Sequence, residues 1–228
     1  MGPVNALGQA WAITKKDLVA ELRGASTIVS MVLLGLLVVL VFNFGTDPGA
    51  KDVTLARSGV LWAAFLFAGV IAVGRSFATE KEAGCLDGLL LCPVDRAVIY
   101  LGKLVGNLIL LFMTGLVILG FFTVLYNVGL GAGSAGLVLV MALASIGFSA
   151  IGTLFAAVGA GVRARDALLA VFIFPLLVPL IIAAAHVSTV LLAGQGLGGA
   201  GLWPWFLVVY DVIFLAISFM TFDFVVEE

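Results

Sequence analysis

Long apolar runs separated by short polar segments dominate this chain. Six of these runs approach or exceed the roughly 20 residues that a helix needs to cross about 30 Å of hydrocarbon. They predict spans at 28–44, 58–74, 104–126, 134–162, 167–194 and 203–222. The runs are continuously apolar, whereas strands of a membrane barrel alternate lipid-facing and lumen-facing residues. The pattern therefore predicts an all-α membrane protein with six transmembrane helices.

The composition supports this class and excludes others. Hydrophobic residues make up 63% of the chain and charged residues only 11%, far from the values of soluble globular domains. The net charge is -2 and the few basic residues are scattered, so a nucleic-acid partner is excluded. The first apolar run starts near residue 28 behind a charged segment, so we expect a retained N-terminus and no signal peptide.

The basic residues predict the orientation in the membrane, because Lys and Arg beside a span resist translocation. With the N-terminus inside, the outer segments hold only Lys51 and Arg57. The other basic residues are then cytoplasmic: Lys15, Lys16, Arg23, Arg75, Lys81, Arg96, Lys103, Arg163 and Arg165. This asymmetry predicts a multi-pass protein with both termini in the cytoplasm.

The segment before the first span, residues 7–24, is predicted to be an amphipathic helix. At 100° per residue, Trp11, Leu18 and Leu22 share one face and the charged side chains lie elsewhere. Such a helix lies flat at the inner membrane surface. Its role is either that of a simple anchor or that of the entry elbow of a transporter.

A polar insert at 75–103, between the second and third spans, is predicted to be a cytoplasmic docking element. Its acidic residues are suited to pairing with a basic groove on a partner, and its leucines to forming an apolar anchor. The alternative is a surface helix that lies on the lipid headgroups. The docking residues are Glu80, Lys81, Glu82, Gly84, Leu86, Asp87, Leu89 and Leu90. The spacing of Cys85 and Cys92 in this insert matches no zinc or redox pattern.

Catalytic motifs are missing from the sequence. It has one histidine, no HExxH, no GxSxG and no phosphate-binding GxxxxGK[ST] segment. We therefore predict no catalytic residues, no metal site and no enzyme activity in this chain. If the protein works with ATP, another chain must bind the nucleotide.

Two ionisable residues fall inside predicted spans, where burying an ionisable side chain in hydrocarbon costs free energy. His186 lies eight residues before Gly194 and Asp211 eight after Trp203, so each is ~12 Å below the same end of its helix. The two could form a charge-assisted hydrogen bond and, with Tyr210, a polar patch along a substrate path. The alternative is that Asp211 bonds a neighbouring helix while His186 and the tryptophans belong to an ordinary interface belt.

Two patterns concern helix packing. Small residues recur at every fourth position of the fourth span and predict a close helix–helix seam: Ser145, Ser149, Thr153, Ala157 and Gly161. In the fifth span, Pro175 and Pro179 each remove a backbone donor and predict a bend. The bend is either a gating hinge or an ordinary feature of a membrane helix.

The docking insert also carries a family resemblance. Residues 80–107, which read EKEAGCLDGLLLCPVDRAVIYLGKLVGN, resemble the loop between spans two and three of type-2 ABC exporter membrane subunits. Within that group they are most similar to the heme exporter B family. The resemblance extends over nearly the whole chain, including the amphipathic lead-in, the twin-proline fifth span and the acidic C-terminus.

The resemblance implies a single type-2 ABC exporter membrane domain in the bacterial inner membrane, serving cytochrome c maturation. The implied partners are a cytoplasmic ABC ATPase, which binds the ATP, a second copy of the chain, a heme-handling membrane subunit, a periplasmic heme chaperone and membrane lipid. Heme is then handled by the complex, with its main ligands outside this chain and His186 a minor candidate. Other interpretations are a type-2 permease for lipid, polysaccharide or drug, an ion-coupled secondary transporter, or a non-transporting scaffold.

Overall fold

The described part of the chain is a helical bundle. The computed structural model describes residues 6–45, 53–76, 95–128, 133–160 and 165–225. These ranges form α1 Ala6–Gly24, α2 Ser26–Gly45, α3 Val53–Ser76, α4 Arg96–Leu125, α5 Ser134–Ala160, α6 Arg165–Leu192 and α7 Trp203–Val225. A short 3-10 helix, Leu197–Ala200, precedes α7.

Helices α2 to α7 are each long and apolar enough to cross a membrane. The prediction of an all-α protein with six membrane-spanning helices is therefore confirmed. Two helices start five or more residues before the predicted apolar runs: α3 begins at Val53 and α4 at Arg96. Both helices begin with polar turns, which a search for apolar runs leaves out. The start of α4 is fixed by Asp95, whose side chain accepts a hydrogen bond from the backbone N of Ala97 at 3.3 Å.

Helix α5 is the central helix of the bundle. In its most apolar stretch 72% of the residues are buried, compared with 22% for α2 and 28% for α7. It packs against α3, α4, α6 and α7. The core beside it contains Trp62, Phe65 and Phe148 in edge-to-face contacts, with ring centroids 5.4 and 5.8 Å apart. Helices α2 and α7 are peripheral and leave much of their apolar surface for lipid.

The predicted small-residue seam on α5 is present. Ser145, Ser149 and Thr153 are fully buried. Asn107 of α4 donates a hydrogen bond from Nδ2 to the hydroxyl of Thr153 at 2.9 Å, so the seam faces α4 at this point. Small side chains allow this approach, and a buried amide needs the partner that Thr153 supplies. Gly161, the last member of the predicted seam, lies outside the described residues.

Helix α1 confirms the predicted amphipathic lead-in and joins the bundle through a tight turn. Ala25 adopts φ 50°, a left-handed conformation that is uncommon for a residue with a Cβ, and α2 starts at the next residue. Trp11 and Leu22 are 59% and 67% exposed, so the predicted apolar stripe lies on the outside of the bundle. That exposure suits a helix whose apolar face lies in the membrane interface.

Candidate functional site

The predicted docking residues, from Glu80 to Leu90, lie outside the described residues. What the structure describes is the two helices on either side, since α3 ends at Ser76 and α4 begins at Arg96. The sequence assigned the whole of 75–103 to the insert. In the structure, residues 96–103 of this insert form the first two turns of α4 behind the Asp95 cap.

An ion pair and a hydrogen bond join these first turns of α4 to α1. The Lys103 ammonium lies 3.0 Å from a carboxylate oxygen of Asp17, and Lys103 is only 2% exposed. The Thr14 hydroxyl donates to the backbone oxygen of Gly102 at 2.8 Å. A Cβ at Gly102 would lie 2.8 Å from the Cβ of Ile13, so only glycine permits this approach. A displacement of the start of α4 must therefore displace α1 as well.

A second polar site lies near the middle of the span formed by α7. Asp211 is 4% exposed, and neither of its carboxylate oxygens has a hydrogen-bond partner within the described ranges. The site is closed by α5 and α6, since a Cβ placed on Gly147 would lie 2.5 Å from one of these oxygens and 3.2 Å from Leu180. Asp211 therefore occupies a three-helix junction that depends on a glycine in α5.

The neighbouring Tyr210 connects this junction to the twin-proline segment. Its hydroxyl donates a hydrogen bond to the backbone oxygen of Leu176, which lies between Pro175 and Pro179 in α6. Helix α6 continues through both prolines. The structure thus brings Tyr210 and Asp211 of the predicted polar patch next to the predicted hinge region, which the sequence treated as a separate feature.

His186 does not join this site. The His186–Asp211 hydrogen bond, one of the two alternatives that the sequence left open, is absent from the structure. The His186 imidazole is exposed on the bundle surface and stacks on Trp203, with ring centroids 4.9 Å apart and planes 19° apart. Trp205 is 68% exposed. This arrangement matches the interface-belt alternative, since aromatic rings gather at the membrane–water boundary.

A third cluster, which the sequence analysis did not predict, lies at the end of the bundle opposite α1. The Trp62 Nε1 of α3 donates to the Ser188 hydroxyl of α6 at 2.9 Å, and the hydroxyls of Ser58 and Thr189 are also hydrogen-bonded. Arg57 lies over the ring of Tyr126, 5.7 Å from its centroid. The signal in the sequence was Arg57 itself, one of only two basic residues on the predicted outer side.

Metal ions in proteins are bound by clusters of side chains such as His, Cys, Asp and Glu. The described ranges contain no group of three or more His, Cys, Asp or Glu side chains placed to hold a metal ion. The polar groups that the structure does bring together lie at helix–helix contacts. Their chemistry suits helix positioning and relative helix movement better than bond-breaking.

Comparison with known proteins gives a consistent match. The family model described as CcmB protein matches residues 8–225. A heme exporter protein B of Rhodobacter capsulatus is 27% identical over 77% of this chain and 80% of its own length. The Haemophilus influenzae protein of that name is 26% identical over 77% and 79%, respectively. The Escherichia coli K12 protein is 24% identical over a shorter region, 42% of this chain and 44% of its own.

Proposed function

The chain belongs to the CcmB protein family, and from this premise we propose that it is the membrane subunit of an ABC-type complex for cytochrome c maturation. A separate ATPase subunit hydrolyses ATP, and the complex handles heme and releases a heme-loaded chaperone on the periplasmic side. The name heme exporter protein B, carried by relatives that align over most of this chain, supports the heme part of the proposal.

The proposed assembly contains two copies of this chain, the cytoplasmic ATPase, a heme-handling membrane subunit and the periplasmic chaperone. The excess of Lys and Arg in alternate segments supports an orientation with α1, the 77–94 segment and both termini on the cytoplasmic side of the inner membrane. The complex handles heme. This chain has a single histidine, which argues for heme ligands in other subunits.

The 77–94 segment is proposed to receive the force of ATP-driven closure. Glu80, Glu82 and Asp87 pair with basic residues of the ATPase and set the register of docking, while Leu86, Leu89 and Leu90 supply the affinity. Helix α4 begins directly after this segment. The ion pair between the buried Lys103 and the partly exposed Asp17 supports the view that α1 and the start of α4 move as one unit.

From α4 the displacement is proposed to pass to α5 and then to α7. Two direct contacts between α4 and α5 support this route: the Asn107–Thr153 hydrogen bond, and a hydrogen bond from the Tyr100 hydroxyl to the Ala150 oxygen at 3.3 Å. Next along α5 is Gly147, against which Asp211 of α7 packs. Nucleotide can drive this movement only if the two nucleotide states contact the docking segment differently.

Asp211, Tyr210 and the prolines are proposed to form the part of the bundle that changes during the cycle. A buried carboxyl without a hydrogen-bond donor is costly, so a rearrangement that gives Asp211 a partner is favoured energetically. Pro175 and Pro179 remove two backbone donors from α6 and lower the cost of bending next to this site. His186, the third residue of the predicted patch, lies on the bundle surface and stacks on Trp203.

The family match over residues 8–225 is the observation that carries the proposal, and co-purification of the ATPase tests it. The triple variant E80K/E82K/D87K is expected to lose the ATPase while still inserting into the membrane, because three attractive charges become repulsive. The variant E227K/E228K is the matched control, since it reverses acidic charges outside the matched region. Equal recovery of the ATPase with both variants would contradict the docking role.

A further inference from the structure

Two hydrogen-bond donors without partners lie together at the end of the bundle opposite α1. Arg57 is in the second turn of α3, and Tyr126 follows the last residue of α4. Within the described ranges, the buried Nε of Arg57 and the buried hydroxyl of Tyr126 have no hydrogen-bond partner. Tyr126 is 8% exposed. Buried polar groups in proteins normally have a hydrogen-bond partner. Two neighbouring donors that lack one therefore indicate that an acceptor from outside these helices binds here.

The two side chains are held in place by their neighbours. The Arg57 guanidinium lies 5.7 Å from the centroid of the Tyr126 ring, and that ring stacks on Phe122 at 4.8 Å. Helix α3 is fixed to α6 beside Arg57 by the Trp62–Ser188 and Ser58–Thr189 hydrogen bonds. The donors are therefore preorganised, which lowers the entropy lost when a ligand binds.

The local electrostatics favour an anion. Burial raises the pKa of Tyr126, while the charge of Arg57 acts on that phenol in the opposite direction. The phenol therefore stays protonated at neutral pH and can donate a hydrogen bond. It also interacts electrostatically with the Arg57 guanidinium. No acidic residue of the described ranges forms an ion pair with Arg57. Asp47 and Asp52 belong to a neighbouring segment outside those ranges and are included in the test below.

We propose that Arg57 and Tyr126 form a binding site for a phosphate oxyanion at this surface of the membrane. The planar guanidinium presents several donors that match phosphate oxygens, and the phenol offers a further donor from the adjacent helix. Both residues lie at the ends of helices that are long and apolar enough to cross a membrane, which is where lipid headgroups are expected. The phosphate is supplied either by a phospholipid headgroup or by free phosphate. The site does not depend on the proposed transport function.

Binding to the purified full-length chain in detergent micelles tests the proposal in two arms. One arm measures phosphatidylglycerol binding by native mass spectrometry, and the other measures the shift in unfolding temperature caused by inorganic phosphate. The R57Q variant is expected to weaken binding at least about tenfold, because it removes a charge-assisted hydrogen bond, and Y126F several-fold. R57K keeps the positive charge but loses the planar guanidinium with its several donors, so its affinity is expected to lie between those of wild type and R57Q. The control is K51Q, which removes the other basic residue on this side.

The outcomes separate the sources of phosphate. Loss of lipid binding in R57Q and Y126F without any effect of inorganic phosphate identifies a headgroup site. A phosphate-induced stabilisation that disappears in both variants identifies free phosphate. The proposal is overturned if both arms are unchanged in R57Q and Y126F, or if K51Q has an equal effect. It is also overturned if wild type binds neither probe until D47N/D52N is introduced, because an aspartate of the chain is then the acceptor.

Discussion

Removing Asp17 is expected to loosen α1 from the bundle without disturbing the membrane core. The D17N variant removes the carboxylate that lies 3.0 Å from the ammonium of Lys103, a residue that is only 2% exposed. Breaking a fully buried pair from one side costs roughly 3–5 kcal/mol. The Asp17 side chain is 22% exposed, so water reaches the pair, and we expect about 2 kcal/mol here. That corresponds to a change of about 30-fold in the equilibrium for local opening of α1.

Amide hydrogen exchange in lipid nanodiscs measures this opening directly. Amides of α1 in D17N are expected to exchange about 30-fold faster than in wild type, while those of α5 stay unchanged. The matched control is K16M, because Lys16 also contacts Asp17, at 3.2 Å, but is 50% exposed. Such a surface contact contributes at most about 1 kcal/mol, or roughly fivefold. Exchange of α1 within twofold of wild type in D17N, or equal effects of D17N and K16M, would refute the reasoning.

The other predictions concern α5 to α7. G147A is expected to lower the unfolding temperature, because its Cβ would lie 2.5 Å from an Asp211 oxygen. Adding D211A should recover part of this loss, and no recovery in the double variant would show that the two residues are not in contact. D211N is expected to preserve or raise thermal stability while lowering cytochrome c maturation in cells, whereas a loss of stability would show that the carboxyl has a partner. H186A removes only a surface ring stacked on Trp203, so heme content of the purified complex should stay near wild type, and complete loss of heme would contradict this placement.

The number and approximate position of the spans could be predicted because lipid imposes a length and a hydropathy on every crossing segment. The seam of Ser145, Ser149 and Thr153 was also predictable, since small residues at every fourth position share one helix face. The start of α4 was not. Lys103 was assigned to the polar insert, yet it lies inside α4, where its ammonium pairs with Asp17, a residue distant in sequence.

Of the two alternatives for His186 and Asp211, the structure has the one without a hydrogen bond between them. Counting along a helix gives the depth of a side chain in the membrane but not the direction in which it points. Asp211 faces Gly147 inside the bundle, whereas His186 lies on the surface against Trp203. The link from Tyr210 to Leu176 was equally hidden, because it depends on how α6 and α7 are rotated against each other.

The most direct test of an ATP-driven subunit docked through its 77–94 segment uses the chain's own cysteines. Both of them, Cys85 and Cys92, lie in that segment, so a membrane-impermeant maleimide reports its location without added cysteines. The account predicts labelling in inside-out vesicles but not in intact spheroplasts, and protection from labelling when the ATPase is bound. Labelling in intact spheroplasts, or labelling in inside-out vesicles that the ATPase does not reduce, would contradict it.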